Sequence, residues 1–225
     1  MKRIALIAAA AAIVVAGGAY GAFAVFSGGG PAPVALSSGE PQRAAGDLDG
    51  TWLVSAADSF VGYRVREKLA FLPAPNDAVG RTDSVEGTLD ISGLTVGSVR
   101  VSADLRNLQS DRDMRDRRIR RMGLETERFP EARFELTDPI TFDTRPDAGL
   151  EVEQTAKGRL TLHGVTRDVS VPVQAQWSGE RIEVVGSLEI EFADYDIEQI
   201  RLNQVTTEDH GTMEFKLVFI PSEQA

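Results

Sequence analysis

Apolar and polar residues alternate with a period of two through most of the chain, and this alternation constrains the fold more than any other feature. Val61, Tyr63 and Val65 alternate with Arg64 and Arg66. The same pattern returns around residues 85–91, 99–105, 133–136, 159–162, 169–177, 182–190 and 213–219. Period two predicts a strand with one buried and one solvated face. Since nearly every strand has one face of each kind, we predict an all-β antiparallel sheet of about eight strands around one interior, as a barrel or a sandwich.

The N-terminal residues predict a membrane segment. Lys2 and Arg3 precede 23 uncharged residues, 4–26, and a helix needs about 20 residues to cross the bilayer core. This length favours an uncleaved membrane-spanning helix over a signal peptide, whose apolar region has about 7–15 residues, although Ala22-Phe23-Ala24 is an acceptable cleavage site. Because basic residues stay in the cytoplasm, the rest of the chain is expected outside it, as a single-pass protein of the cell membrane held through residues 4–26. Cleavage would instead release a secreted protein.

Composition divides the chain into three regions and excludes several functions. We predict an anchor or signal segment over 1–27, a flexible Gly/Pro-rich linker over 28–50 and one folded domain over 51–221. The formal net charge of -10 argues against general nucleic-acid binding, which requires a basic surface. The sequence contains no cysteine, which excludes disulfides, thiolate metal sites and a cysteine nucleophile.

One helix is expected between the strands, from Ser110 and Asp111 to about Met122. Carboxylates precede arginines by four residues in it, as in Asp111 and Arg115, which supports a helix. Its arginines are Arg112, Arg115, Arg117, Arg118, Arg120 and Arg121. They can bind a pyrophosphate or an anionic lipid head group, or form a solvated face paired with their own aspartates. The second interpretation is favoured, because every turn also carries a carboxylate.

Separate blocks of the sequence resemble the YceI-like family. They are DRDMR at 111–115 with ERFPEARF at 127–134, GRLTLHGVTRDV at 158–169, and the opening at 52–65. The resemblance extends over about 51–220 in the right order and spacing. It implies a lipocalin-like antiparallel β-barrel with one helix in a connection and a long apolar channel. Members of this family bind polyisoprenoid chains there, including isoprenoid quinones and prenyl phosphates.

The inward phase of the strands and one apolar connection supply the predicted lipid-binding residues. They are Tyr63, Leu69, Phe71, Leu89, Val101, Phe134, Leu162, Trp177 and Phe215. Leu69 and Phe71 belong to the apolar segment 69–72, inside a long connection between strands. Such a segment requires burial or a partner, as a lid over the channel, a contact with the membrane interface, or core over the barrel end. No inward position carries a clear ionisable group, so the interior is expected to be apolar.

We therefore predict an exported, membrane-tethered protein that binds a polyisoprenoid lipid, either an isoprenoid quinone or a prenyl phosphate, for carriage or storage. We expect no catalytic residues, no metal and no cofactor besides the lipid, and we leave a homodimer open. One alternative is an enzyme acting on an isoprenoid lipid, which would need Asp194, Asp196, His163 or His210. Surface or turn positions are favoured for both histidines. The other alternative is a packed structural or interaction domain without a ligand.

Overall fold

A computed structural model describes residues 31–37, 47–70 and 74–224. Within them, fourteen strands form one antiparallel sheet. The strands are β1 (Gly50–Val54), β2 (Phe60–Leu69), β3 (Asn76–Thr82), β4 (Val85–Ser92), β5 (Thr95–Asp104), β6 (Gln109–Ser110), β7 (Glu131–Leu136), β8 (Ile140–Thr141), β9 (Glu151–Leu162), β10 (Val165–Trp177), β11 (Ile182–Glu191), β12 (Arg201–Leu202), β13 (Val205–Thr207) and β14 (His210–Pro221). Short 3-10 turns cover Ala56–Asp58, Leu105–Asn107, Phe192–Tyr195 and Ser222–Gln224.

Eight of these strands close into a barrel. The ring runs β1-β4-β5-β7-β9-β10-β11-β14, and it closes because β14 also pairs with β1, with Val54 opposite Phe219. The hairpin β2–β3 extends the wall beside β14, where Tyr63 lies opposite Met213. The predicted all-β fold of about eight strands is therefore confirmed. The closed ring shows that it is a barrel and not a sandwich.

One α-helix lies in a connection, as expected, but it is shorter than the sequence predicted. In the part of the chain that the structure describes, α1 covers Asp113–Arg118 and continues as a π turn over Ile119–Gly123. The N-cap is Arg112, which makes no side-chain capping bond. Ser110, predicted to cap the helix, instead belongs to β6 and donates its backbone N–H to Asp116 at 3.0 Å. The predicted start was wrong by two residues because Ser110 extends the sheet.

The end of the barrel opposite α1 is closed by two segments, and we call it the Leu48 end. Leu48 is buried there, and its carbonyl accepts a hydrogen bond from Nε1 of Trp52 at 3.0 Å. Arg145, in the loop 142–150, pairs with Asp47 at 2.5 Å. These contacts hold Leu48 against the barrel interior.

The other end, where α1 lies, is called the helix end. Strand β11 pairs with β10 only from Val173 onward, so the two strands diverge toward this end. The 3-10 turn Phe192–Tyr195 packs between them, where Arg167 of β10 donates from Nε to the carbonyl of Asp194 at 2.8 Å. The helix end is thus covered by α1, by the π turn and by the segment that follows β11.

An aromatic ring over a glycine shapes the interior at the helix end. Tyr63 lies directly opposite Gly80 on the neighbouring strand, and a Cβ added at Gly80 would meet the Tyr63 hydroxyl oxygen at 2.7 Å. Only glycine leaves room for this ring, because such a distance is far shorter than van der Waals contact. The glycine therefore fixes where the Tyr63 hydroxyl points.

Residues 31–37 lie on the outer face of the barrel, and we call them the strap. Nη2 of Arg64 donates to the carbonyl of Pro31 at 2.8 Å. At the other end of the strap, the Ser37 backbone N–H donates to Glu183 at 2.6 Å, and Nζ of Lys216 donates to the Ser37 hydroxyl at 2.7 Å. The sequence placed these residues in a flexible linker; the hydrogen bonds instead hold them against the barrel wall.

No helix among the described residues is long and apolar enough to span a membrane. The predicted anchor, residues 4–26, lies outside the described residues.

Candidate functional site

A cavity of about 180 Å³ occupies the barrel toward the Leu48 end. Inward side chains of strands β4, β5, β7, β9, β10, β11 and β14 line it, together with Leu48. The lining is apolar apart from Arg133, Gln154 and Gln176. Such a surface favours a hydrocarbon over a polar ligand, because burying an unpaired polar group costs free energy.

A second cavity of about 130 Å³ lies at the helix end. Its walls combine apolar side chains of the barrel with Arg118, Ile119 and Gly123 of α1 and the π turn. Val61, Ala132 and Met213 line both cavities. The two cavities therefore adjoin inside the barrel at these three side chains, and we call the pair the channel.

The structure brings most of the predicted lipid-binding residues to this channel. The cavity toward the Leu48 end is lined by Leu89, Val101, Phe134, Trp177 and Phe215. Tyr63 and Leu162 line the cavity at the helix end. These residues come from different strands and meet because they share the inward phase. Their contact with a lipid stays a prediction.

The sequence analysis placed Leu69 in a connection between strands, and this placement was wrong. Leu69 is the last residue of β2, opposite Val205 of β13, and only 3% of it is exposed. It was misplaced because β13, a strand of three residues, is too short to be recognised from alternation and extends the pairing of β2. Phe71 lies outside the described residues, so its role as a lid stays a prediction.

A buried ion pair makes the helix end of the channel more polar than predicted. Glu67 and Arg115 are 5% and 7% exposed, and Nη2 of Arg115 donates to Oε1 of Glu67 at 2.6 Å. Burial opposes the charge of Arg115, but its hydrogen bonds with Glu67 and Asp111 outweigh this effect and raise its pKa. The expectation of an apolar interior was wrong here. The signal was present, because Glu67 has the same parity as Tyr63 and Val65 on one strand.

The sequence analysis favoured ion pairs between the helix arginines and aspartates of the same helix, but most of these pairs do not form. Of the predicted pairs, Asp111 with Arg115 forms. Asp116 instead accepts the Ser110 hydroxyl at 2.6 Å. Arg117, Arg118, Arg120 and Arg121 form no ion pair with any described residue. Four guanidinium groups thus remain without a carboxylate partner at the helix end.

The comparison with protein families identifies this architecture. A family model described as a YceI-like domain matches residues 52–219. The chain belongs to the YceI-like family. The resemblance inferred from the separated sequence blocks is thereby confirmed.

Curated relatives of this YceI-like chain include UPF0312 proteins of Vibrio species. One from Vibrio vulnificus (strain YJ016) is 30% identical over 127 residues, covering 52% of this chain and 64% of that protein. One from Vibrio cholerae O395 is 29% identical over 128 residues, with 53% of this chain and 64% of that protein covered. The match thus spans less than two thirds of the length of these relatives.

Two solved structures share the YceI-like barrel. A polyisoprenoid binding domain from Saccharophagus degradans matches 76% of this chain and 98% of its own, with 20% identity and a TM-score of 0.59. BcnA of Burkholderia cenocepacia matches 73% of this chain and 98% of its own, with 19% identity and a TM-score of 0.57. At these identities the matches establish the fold, which is the lipocalin-like barrel that the family resemblance implied.

His163 has a structural position in the YceI-like barrel. It was predicted on the outer face of a strand or in a turn, and it lies in the turn after β9 with φ 52°, but it is buried. Its Nδ1 lies 3.0 Å from the carbonyl oxygen of Tyr195, and its Nε2 lies 3.2 Å from Oε2 of Glu125. The ring of Phe129 packs against it at 4.3 Å between centroids. Both ring nitrogens are therefore engaged by the protein itself.

The other polar residues considered for catalysis do not converge. Asp194 lies 3.5 Å from Arg167 on the surface, while Asp196 adopts a left-handed conformation with φ 53° at the end of a turn. His210 is half-buried at the surface and contacts its neighbour Asp209 at 3.0 Å. Among the residues that the structure describes, no three His, Cys, Asp or Glu side chains are placed to hold a metal ion together.

Three residues that line the channel carry a buried donor without a partner among the described residues. One is Thr207, through its hydroxyl, and the other two are predicted lipid-binding residues, Tyr63 through its hydroxyl and Trp177 through Nε1. Tyr63 and Thr207 line the helix-end cavity, and Trp177 lines the other cavity. A buried unpaired donor indicates a place where a ligand oxygen or a water molecule is accommodated. Sequence reasoning selected Tyr63 and Trp177 for their apolar surface and missed their donors.

The buried tyrosines predict a loss of stability in alkaline solution. Burial raises the pKa of Tyr63 well above its usual value and also raises that of Tyr195. In the unfolded chain a phenol loses its proton near pH 10, so above this pH the unfolded state binds fewer protons and stability falls as the pH rises. We expect urea unfolding between pH 9 and 11.5 to show a decline of up to about 1.4 kcal/mol per pH unit from Tyr63 above pH 10. Tyr63→Phe should remove this part of the slope, and an unchanged slope would contradict the assignment.

Proposed function

We propose that this protein binds one long isoprenoid chain in the channel and carries or stores it without chemical change. The observation that carries the proposal is the apolar interior formed by two cavities that meet at Val61, Ala132 and Met213. Burial of apolar surface contributes roughly 25 cal/mol per Å², so a long hydrocarbon binds tightly with few hydrogen bonds. The Saccharophagus degradans neighbour, a polyisoprenoid binding domain with the same fold, supports this class of ligand.

The polar head of the lipid is proposed to lie at the helix end. The unpaired Tyr63 hydroxyl is there, where it can donate to an oxygen of a quinone or a prenyl phosphate. Glu67 and Arg115 line the same cavity and make this end the more polar one. The isoprenoid tail would extend past Ala132 toward Trp177, where the lining is apolar.

We propose that residues 4–26 tether the protein to the cell membrane and that the barrel lies outside the cytoplasm. The uncharged stretch and the two basic residues before it support this orientation. Carriage or storage of a membrane lipid suits a tethered barrel, because ligand and protein are then held at the same bilayer. A homodimer is not needed for this function.

Binding is favoured over the two alternative classes by particular observations. A packed domain without a ligand would not retain joined apolar cavities, because protein interiors are close-packed. An enzyme acting on an isoprenoid lipid would need the catalytic candidates Asp194, Asp196, His163 or His210 to converge on the channel. None of the four lines either cavity. His163 is instead engaged by Tyr195 and Glu125, and His210 contacts Asp209 at the surface.

Native mass spectrometry of the full chain, purified from the membranes of its own organism, tests the proposal. We expect one adduct per chain, with the mass of an isoprenoid lipid. Tyr63→Phe should weaken binding of a prenyl quinone by about threefold to tenfold, the value of one hydrogen bond, and leave binding of the corresponding hydrocarbon unchanged. A chain that carries no lipid and takes up no prenyl quinone from vesicles would refute the proposed function.

A further inference from the structure

We infer that the helix end of the barrel docks on an anionic lipid bilayer through one surface of α1 and the π turn. This surface, called the basic face, consists of Met114, Arg117, Arg118, Arg120, Arg121 and Met122. The inference rests on the proposed tether and adds which end of the barrel the membrane meets.

The basic face combines exposed apolar and cationic side chains. Met114 and Met122 are 57% and 47% exposed, and Arg117 and Arg121 are exposed beside them. Cationic residues with exposed apolar side chains are typical of surfaces that bind anionic bilayers, since arginine attracts the head groups and the apolar groups enter the interface.

The exposed arginines of the basic face, Arg117 and Arg121, are available for an external anion because no ion pair with a described residue occupies them. Asp116 accepts hydrogen bonds from Ser110, and Asp111 pairs with Arg115. Asp113, the expected partner of Arg117, is exposed and likewise forms no ion pair with a described residue. In a chain with a net charge of -10, a local group of unpaired arginines marks the surface at which an anionic bilayer can approach.

The direction of the strap places the tether at the same end. Going back along the chain from Ser37 to Pro31, the contacts move from Lys216 to Arg64, that is, toward the helix end. Arg64 lies three residues before Glu67 on β2, the residue that contacts α1, and three strand residues span about 10 Å. If residues 4–26 cross the bilayer, the five peptide steps to Pro31 span at most about 18 Å. The helix end is therefore the end that the tether holds near the bilayer.

The basic face also adjoins the channel. Arg118 of α1, with Ile119 and Gly123 of the π turn, lines the helix-end cavity. Ile200, from the segment after β11, lies across from Gly123, with 3.8 Å between its Cδ1 and a Cβ built on the glycine. A lipid leaving a docked bilayer would thus meet the boundary between the π turn and this segment first.

Single-cysteine labelling tests the docking, because the chain contains no native cysteine. Met122→Cys probes the basic face, and Leu150→Cys, whose parent residue is 56% exposed at the Leu48 end, is its matched control. The full chain carrying a bimane label is reconstituted into vesicles of phosphatidylcholine with phosphatidylglycerol, both containing brominated acyl chains as quenchers. We expect at least twofold stronger quenching at position 122 than at 150, and a smaller difference in vesicles of phosphatidylcholine alone. Equal quenching, or stronger quenching at 150, overturns the inference.

A charge variant separates docking from tethering. Arg117→Gln with Arg121→Gln should reduce the quenching at position 122, as each arginine near an anionic surface contributes about fivefold to the binding constant. Arg100→Gln with Arg181→Gln, on exposed side chains of the barrel wall, changes the net charge equally and should leave the quenching unaltered. Flotation of the chain with the vesicles reports the tether independently. A chain that floats without preferential quenching at 122 refutes the docking and leaves the tether standing; a chain that floats with neither vesicle refutes both.

Discussion

Replacing Arg115 by methionine is expected to lower the free energy of unfolding by about 3–5 kcal/mol, the cost of leaving a buried charge without its partner. The variant keeps Glu67, which is 5% exposed and accepts the Arg115 guanidinium at 2.6 Å. Urea unfolding followed by tryptophan fluorescence measures the loss. Arg106→Met is the matched control, because Arg106 pairs with Asp104 while its side chain is 62% exposed; we expect it to leave the free energy of unfolding nearly unchanged.

The double variant Glu67→Leu with Arg115→Met separates the cost of the unpaired charge from lost packing. Removing both charges should recover most of the stability, because apolar replacement of a buried ion pair is often neutral. If the double variant is as unstable as Arg115→Met alone, the loss comes from packing of the arginine stem and the argument from charge fails.

Ala132→Phe is expected to divide the channel and to abolish binding of long isoprenoid chains. Ala132 is 7% exposed and lines both cavities, so a phenyl ring there occupies the place where the two cavities adjoin. A chain confined to one cavity buries far less apolar area, and at roughly 25 cal/mol per Å² the loss of 100 Å² weakens binding by about 70-fold. Titration with prenyl quinones of increasing tail length measures this: long tails should lose affinity and short tails should keep theirs.

Ala175→Phe provides the control for added volume. Ala175 lines only the cavity toward the Leu48 end, so a ring there takes up space without occupying the place where the two cavities adjoin. We expect its effect on long tails to be smaller than that of Ala132→Phe. Both variants must retain a cooperative unfolding transition, since overpacking alone costs about 1–3 kcal/mol. If Ala132→Phe weakens the binding of short and long tails equally, the space at Ala132 does not determine which tail lengths bind.

Alternation was sufficient to predict an all-β antiparallel sheet because each strand has one solvated face, but it left a barrel and a sandwich open, and only the family resemblance indicated the barrel. The longest strands, such as Glu151–Leu162 and Val165–Trp177, carry the pattern over many residues, and their inward residues reach the channel as predicted. Strands of two or three residues, such as Val205–Thr207, are too short to show a period. This is why Leu69 was placed in a connection, although pairing with Val205 buries it at the end of a strand.

Polar groups at the helix end were the least predictable part of the site. The alternation along β2 would have placed Glu67 in the barrel interior. Only the fold brings Arg115, from a helix distant in sequence, into contact with it. The contact of His163 with Tyr195 likewise joins elements far apart in sequence, whereas Asp116 binds Ser110, only six residues before it, because Ser110 lies in β6. Spacing of four residues predicted ion pairs within the helix, whereas tertiary contacts with better-placed donors and acceptors decided which of them form.

The strap makes the reach of the proposed tether adjustable. With Pro31 held on Arg64, the chain between Phe26 and the barrel extends at most about 18 Å. Release of the three hydrogen bonds of the strap would leave 21 peptide steps between Phe26 and Asp47, which still pairs with Arg145, and these steps extend up to about 75 Å. Such a release would lengthen the reach of the tether about fourfold, and it requires no opening of the pairing between β1 and β14. A carrier built in this way could load at its own bilayer and deliver across a gap several times wider.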